Sequence, residues 1–248
     1  MLKSDLHIHT LMSGHAFCTV NECIAEAKKR GLSLIAITDH GPAMEHSAHE
    51  GYFEMSSRFP NAQSEVNVLF GCEMNILNKN GDVDLSPKTM SELDIVLAGL
   101  HKKTPYASSG EADNTNAIIN AMMRHSNISI ITHPFSSDFP ISVYDVVQAA
   151  NEYNIILEIN LSLLLKAIQQ KTNSNYAKEI YKTAEMVAYL QSMGNNFIIN
   201  SDAHHSYEIG ISKMQLKKVT DELGINTSFV MNDNIDMINK IISQKKLW

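Results

Sequence analysis

Ser4-Asp5-Leu6-His7-Ile8-His9-Thr10 is the stretch on which the reading of this 248-residue chain turns. Apolar Leu6 and Ile8 interleave with two histidines, a short buried strand whose imidazoles, two residues apart, face the same side. The same design recurs along the chain. Short runs rich in Ile, Val and Leu read as strands over Ser4–His9, Ser33–Thr38, Val66–Met74, Leu93–Leu100, Ile128–Thr132, Ile155–Asn160 and Asn196–Ser201. Helical periodicity fills Asn21–Arg30 before Gly31, Thr115–His125 after Asp113-Asn114, and Val143–Tyr153 after Ser142. It also fills Asn175–Met193 before Gly194 and a terminal amphipathic stretch, Asn234–Gln244. Strand and helix alternating at intervals of roughly 30 residues predict βαβ units and a parallel sheet. Seven candidate strands favour an α/β fold of one domain, residues 1–248, closed as a distorted, TIM-like (β/α)7 barrel.

The chemistry-bearing residues then fall at strand ends. His7 and His9 end the first strand, with His15 in the loop beyond it. His40 follows the second, Glu73 lies near the end of the third, His101 follows the fourth and His133 the fifth. Asp202 and His204 follow the last. In such barrels the active site sits at the C-terminal ends of the strands, so scattered donors would meet at one mouth. Imidazole and carboxylate are ligands for zinc, manganese and iron, and no single cluster here could close a coordination shell alone. Taken singly, His15 reads as a solvated loop residue and His101 or His133 as a satisfied core histidine; their company favours ligation. Glu73 on an apolar strand needs a cation or donors, because burying it unpaired costs several kcal/mol. Asp39, beside His40, reads as a residue that hydrogen-bonds a ligand imidazole, with a turn-forming role as the plainer alternative. His46, His49, His125 and His205 have weaker cases: His125 at a helix end reads as structural, and His205 reads as a pocket-lining residue or, more plainly, as a structural one.

Composition limits the alternatives. With 44% hydrophobic and 19% charged residues the chain can bury a large core. A net charge of −7 argues against non-specific adhesion to nucleic acid or anionic membrane. Cys18, Cys23 and Cys72 form no disulfide framework and read as packing residues in a reducing compartment. There is no apolar signal core and no run of about 18 apolar residues, so a cytoplasmic protein is expected. A homo-oligomer is compatible with the sequence.

Several ordered motifs resemble the PHP family, named for its polymerase and histidinol phosphatase members, and most closely its small YcdX-like phosphatases. They are Asp5-Leu6-His7-Ile8-His9-Thr10, Ile37-Thr38-Asp39-His40-Gly41-Pro42, Gly71-Cys72-Glu73-Met74-Asn75 and Ala98-Gly99-Leu100-His101. Asp113-Asn114-Thr115-Asn116, Ile131-Thr132-His133-Pro134, Leu157-Glu158-Ile159-Asn160 and Asn200-Ser201-Asp202-Ala203-His204 complete the set. The resemblance implies three divalent metal ions, zinc foremost, with manganese or iron compatible. It assigns one ion to His7, His9, Glu73 and Asp202, a second to His15, His40 and His204, and a third to Glu73, His101 and His133, with Glu73 as the bridge. Two positions depart from the pattern: Leu161, where asparagine is usual, and Lys102-Lys103, where less basic residues are expected.

The implied chemistry is hydrolysis of a phosphate monoester on a small phosphorylated substrate, by a hydroxide that bridges metals. Lys102 or Lys103 is a candidate for attracting the phosphate, and a solvated surface pair reads equally well. The rivals are a histidinol-phosphate phosphatase, a phosphodiesterase or exonuclease, and a non-catalytic domain stabilised by metal. An amidohydrolase lacks its metal-bridging lysine here. No basic stripe supports nucleic-acid binding.

Overall fold

The computed structural model describes residues 2–59 and 65–245. Seven parallel strands follow one another in chain order, each bonded to the next: β1 (Ser4–Ile8), β2 (Leu34–Ile37), β3 (Asn67–Asn75), β4 (Ile95–Gly99), β5 (Ile130–Ile131), β6 (Ile156–Asn160) and β7 (Ile198–Asn200). An all-parallel order needs a crossover after every strand. The crossovers carry α1 (Val20–Lys29), α2 (Glu50–Phe53), α3 (Pro87–Glu92), α4 (Glu111–Arg124), α5 (Val143–Glu152), α6 (Leu161–Gln169) and α7 (Ser174–Ser192). Helices α8 (Lys213–Leu223) and α9 (Ile235–Lys245) follow β7. The expected TIM-like architecture is therefore present, and all seven strands lie within the segments read from the sequence, give or take one residue.

Two differences have physical causes. Helix α4 begins at Glu111 rather than Thr115, so Asp113-Asn114 lie inside it. Asn114 is buried and does not cap: its amide donates to Ser108 Oγ and to the Pro140 carbonyl, and its oxygen accepts from Tyr106 OH. Helices α6 and α8 are absent from the periodicity reading. Helix α6 starts directly at the end of β6, with Asn160 as both last strand residue and N-cap, accepting from Leu163 N at 3.0 Å. No turn separates the two periods, so one long apolar run hides the change from strand to helix. Helix α8 carries legible signals, a Ser212–Gln215 capping box and Gly224 at its end.

The barrel is closed unevenly. Between β1 and β7 the backbone contributes His9 N to Ala203 O at 2.8 Å and one longer reciprocal bond. Side chains supply the rest. Asn200 accepts from Leu6 N, and Asp5 accepts from Ser201 N and Gly210 N. Asn232, fully buried, donates to the carbonyls of Ser4 and Ile199 and accepts from Ile199 N. Buried amides thus satisfy backbone groups that a full ladder would have paired.

Inside the barrel, one end is apolar: Leu6, Leu34, Ala36, Leu97, Ile130 and Ile198 pack together and are covered by Ile238 and Ile242 of α9. The terminal helix thus seals the floor, as its periodicity predicts. A second apolar layer lies between the sheet and the outer helices, with Phe70, Val96, Ile118, Val146, Leu157 and Val187 among its members. Strand β1 crosses between these environments through a bulge. Ser4 and Asp5 pair with Leu34 and Ile35, but Ile8 pairs with Ile37, so one extra residue is inserted. Leu6 accordingly packs in the barrel interior, while Ile8 packs outward with Cys23 and Ala27 of α1. That switch leaves His7 and His9 facing the opposite, open end. Among the described residues no helix is long and apolar enough to cross a membrane.

Candidate metal centre

Glu73 stands at the middle of the open end, fully buried on β3. Its Oε1 lies 3.2 Å from His7 Nε2 and 3.1 Å from Nε2 of both His101 and His133. Its Oε2 lies 2.8 Å from His40 Nδ1 and 3.5 Å from His9 Nε2. Asp202, after β7, brings Oδ1 to 3.1 Å from His9 Nε2 and 3.5 Å from His7 Nε2. His204 stacks on His9 with ring centroids 4.4 Å apart, and His15 stacks between His40 and His204 at 5.0 and 4.9 Å. The structure thus brings all nine sequence-selected donors to one place. His15 and His204 form the more exposed rim, and the others are buried or nearly so.

Local backbone explains how strand ends converge this tightly. A Cβ on Gly99 would sit 2.5 Å from Thr132 Oγ1 and about 3 Å from the rings of His133 and His101, so only glycine leaves them room. His133 and Asp202 have positive φ, 28° and 54°. Such conformations cost of order 1–3 kcal/mol in a non-glycine residue and persist where the surroundings over-determine them. Here Glu158 Oε2 accepts from His133 N at 3.0 Å, and Asn160 Nδ2 donates to Asp202 Oδ2 at 3.0 Å.

The geometry fits divalent cations. His7 Nε2 and His9 Nε2 are 3.0 Å apart, and His101 Nε2 and His133 Nε2 are 3.3 Å apart. Lone pairs aimed at one another need a proton or a cation between them. His40 Nδ1 and Glu73 Oε2, although only 2.8 Å apart, are out of hydrogen-bond alignment, and among the described residues neither buried atom makes a hydrogen bond. Three triads have donor atoms within 4.8 Å of one another: His9, His40 and His204; His7, His9 and Asp202; His40, Glu73 and His101. This grouping differs from the partition implied by the resemblance, because His40 lies as near Glu73 and His101 as it does the rim histidines.

The protonation balance favours cations too. Burial by itself would raise Glu73, but the imidazoles of His101, His7 and His40 outweigh it and hold the carboxyl well below the usual carboxylate range. Burial would lower His7, yet Glu73, Glu158 and Asp202 lift it well above the ordinary histidine value. Burial pushes His40 down to about 4, and burial with the adjacent His40 takes His9 well below its usual range. Positive charge is thus welcomed beside the carboxylates, while His9 and His40 stay neutral, the form in which imidazole coordinates.

An outer layer fixes the rings. His7 Nδ1–H donates to Glu158 Oε1 at 2.8 Å, and Asn200 Nδ2 donates to the same oxygen. His101 Nδ1–H donates to Asn75 Oδ1 at 2.8 Å; Asn75 Nδ2 in turn donates to Asp84 and to the Gly41 carbonyl. His9 Nδ1–H donates to Ser13 Oγ, whose hydroxyl donates to Asp39 Oδ1 at 2.7 Å. In each case the outer partner takes Nδ1 and turns Nε2 toward the centre. Asp39, expected to bond a ligand imidazole directly, acts through Ser13 instead, because Thr10 and Tyr52 also donate to it and hold it one residue further out. Glu158, Asn75, Ser13 and Asp84 were not assigned roles from the sequence. A carboxylate at 158 on an apolar strand, by the reasoning applied to Glu73, was a signal that could have found one of them.

The lysines separate. Lys102 is 66% exposed and its Nζ pairs with Asp138 Oδ2 at 2.5 Å, which is the surface-pair arrangement. Lys103 is the one whose charge reaches the rim, where it adds to burial and His204 in lowering His15. His125 closes α4 and its Nε2–H donates to the Gly81 carbonyl, 3.0 Å away, a structural contact.

This is a barrel with a histidine- and carboxylate-rich centre at its strand ends, and residues 5–192 match the PHP domain model. The chain belongs to the PHP-domain family. It is 37% identical over 245 residues to a probable phosphatase of Thermoanaerobacter sp. (strain X514), covering 99% of this chain and 96% of that protein. A probable phosphatase of Tolumonas auensis (strain DSM 9187 / NBRC 110442 / TA 4) is 36% identical, with 92% and 88% covered. One from Citrobacter koseri (strain ATCC BAA-895 / CDC 4225-83 / SGSC4696) is 33% identical, with 94% and 90% covered. Among solved structures, histidinol phosphate phosphatase from Lactococcus lactis subsp. lactis Il1403, complexed with zinc, L-histidinol and phosphate, shares the fold. Its TM-score is 0.58 at 15% identity, covering 90% of this chain and 94% of that one.

Proposed function

We propose that this protein is a metal-dependent phosphatase that hydrolyses small phosphate monoesters at the strand-end centre. The observation that carries the reading is the pair at its heart: His40 Nδ1 and Glu73 Oε2, buried, 2.8 Å apart and, among the described residues, without a hydrogen bond, within a set of nine convergent donors. The family and its curated phosphatase relatives support the reaction class. Three divalent ions are proposed, held by His7, His9, Glu73 and Asp202, by His15, His40 and His204, and by Glu73, His101 and His133, with His40 close enough to Glu73 to be shared. Zinc suits the imidazole majority, and manganese and iron are compatible.

Bound ions would lower the pKa of water to about 7 and offset the charge of the phosphate. The chain's own contribution is preorganisation. Glu158, Asn75 and Ser13 hold His7, His101 and His9 with Nε2 inward, so no ring must turn as substrate arrives. An apolar floor packs beneath the centre and closes the barrel from below. Lys103, rather than Lys102, is the residue proposed to draw phosphate to the rim.

Elemental analysis paired with a phosphate-ester panel tests the reading. Purified protein is expected to carry metal, to lose turnover of an aryl phosphate on chelation and to recover it when zinc, manganese or iron is restored. Turnover that survives complete metal removal would sink the proposal.

A further inference from the structure

Beside the centre, a narrow cleft shares His133, Glu158 and Asn160 with it and runs beneath the α6–α7 pair. One wall is apolar, with Phe135, Leu163, Leu164 and Met186; Glu179, on the second turn of α7, stands in the other. Ser137, on the loop after β5, donates both its backbone N–H and its hydroxyl to Glu179 Oε1, at 3.2 and 3.1 Å. The carboxylate is therefore fixed in place. Its Oε2 is buried and has no hydrogen-bond partner among the described residues. A carboxylate oxygen withdrawn from water without a donor is costly, and native proteins keep such a group where an ordered water, an ion or a ligand completes it or where it has a functional role. Phosphate itself is excluded as that ligand, because two anions would repel. The complement of a fixed, desolvated carboxylate next to a phosphate-binding centre is a cation on the rest of the substrate.

Resting on the phosphatase reading above, we propose that Glu179 is a specificity residue that receives a protonated amine on the leaving group. The phosphoryl end would lie at the nine-donor centre, a short apolar linker against Leu163, Leu164 and Met186, and the ammonium against Oε2. Nothing in this arrangement requires Glu179 to touch the reacting atoms.

The test uses non-hydrolysable phosphonates, so that binding is read without turnover. Calorimetry with the metal-replete protein compares ω-aminoalkylphosphonates of two to four carbons with alkyl and hydroxyalkyl phosphonates of matched length. At one chain length or more, the amino compound should bind at least ~10-fold tighter than both others, as expected for a hydrogen bond to a charged group. In Glu179→Gln that advantage should fall to about twofold or less, with Glu179→Ala as a second variant and thermal melting as the check on folding. Equal affinity at every length (absence of binding included), a preference for the hydroxyl compound, or an advantage that survives Glu179→Gln overturns the assignment. Wild-type turnover of an aryl phosphate is measured separately. Its absence would remove the hydrolase reading, while an amine preference lost in Glu179→Gln would still stand.

Discussion

The two ends of the barrel interior are built from the same strands with opposite chemistry. At the floor, Leu6, Leu97, Ile130 and Ile198 pack in a dry group under α9. A few residues further along those strands, or just beyond their ends, His7, His101, His133 and Asp202 crowd around Glu73. The floor gains stability from apolar burial, whereas the mouth spends it on desolvated charge, lone pairs in opposition and two left-handed backbone positions. The contrast teaches that folding and chemistry are separated along the barrel axis, so substitutions at one end should leave the property of the other largely untouched.

The sharpest break is Asp202→Ala. Turnover of an aryl phosphate should fall by more than the ~100-fold typical of losing an outer partner, while circular dichroism reports an unchanged fold. Retained turnover would mean that the mouth is not the site. At the floor, Leu97→Ala should cost about 2–5 kcal/mol in chemical denaturation, the range for a buried leucine truncated in a packed core, with turnover below the transition within about twofold of wild type. A large loss of activity in that variant would dissolve the separation of ends.

Smaller effects sharpen the comparison within the mouth. Glu158→Gln keeps the size but not the charge that holds His7, and should lower metal affinity or turnover about 10- to 100-fold. A metal titration checks this, and wild-type affinity would assign Glu158 to the fold alone. Smallest is Lys102→Ala: its ion pair with Asp138 is exposed on both sides, so kcat and KM should stay within about twofold. A clear rise in KM would return Lys102 to the phosphate path.

Much of this was legible residue by residue. The strands announce themselves as short runs built on Ile, Val and Leu with a polar residue at or just after the end, and Glu73 is conspicuous as a carboxylate among apolar neighbours. Helix α6 was not legible, because Asn160 serves strand and cap at once. The Asp39–Ser13–His9 and Asp84–Asn75–His101 relays were not either, since each joins residues from separate segments whose meeting depends on how strands stagger. Lys102 and Lys103 are adjacent and chemically alike, yet Lys102 pairs with Asp138 while the charge of Lys103, a residue with φ of 61°, reaches His15.

By itself the sequence determined the parallel αβ order and the donors, for hydrophobic period and side-chain chemistry are local properties. Tertiary structure alone decided which way those donors face and what holds them. The bulge in β1 is the plainest case: unbroken alternation from the inward Leu6 would have turned His7 and His9 toward α1, and one inserted residue turns them to the centre. The physical reason is that strand register is set by long-range pairing against β2, which no single stretch of chain contains.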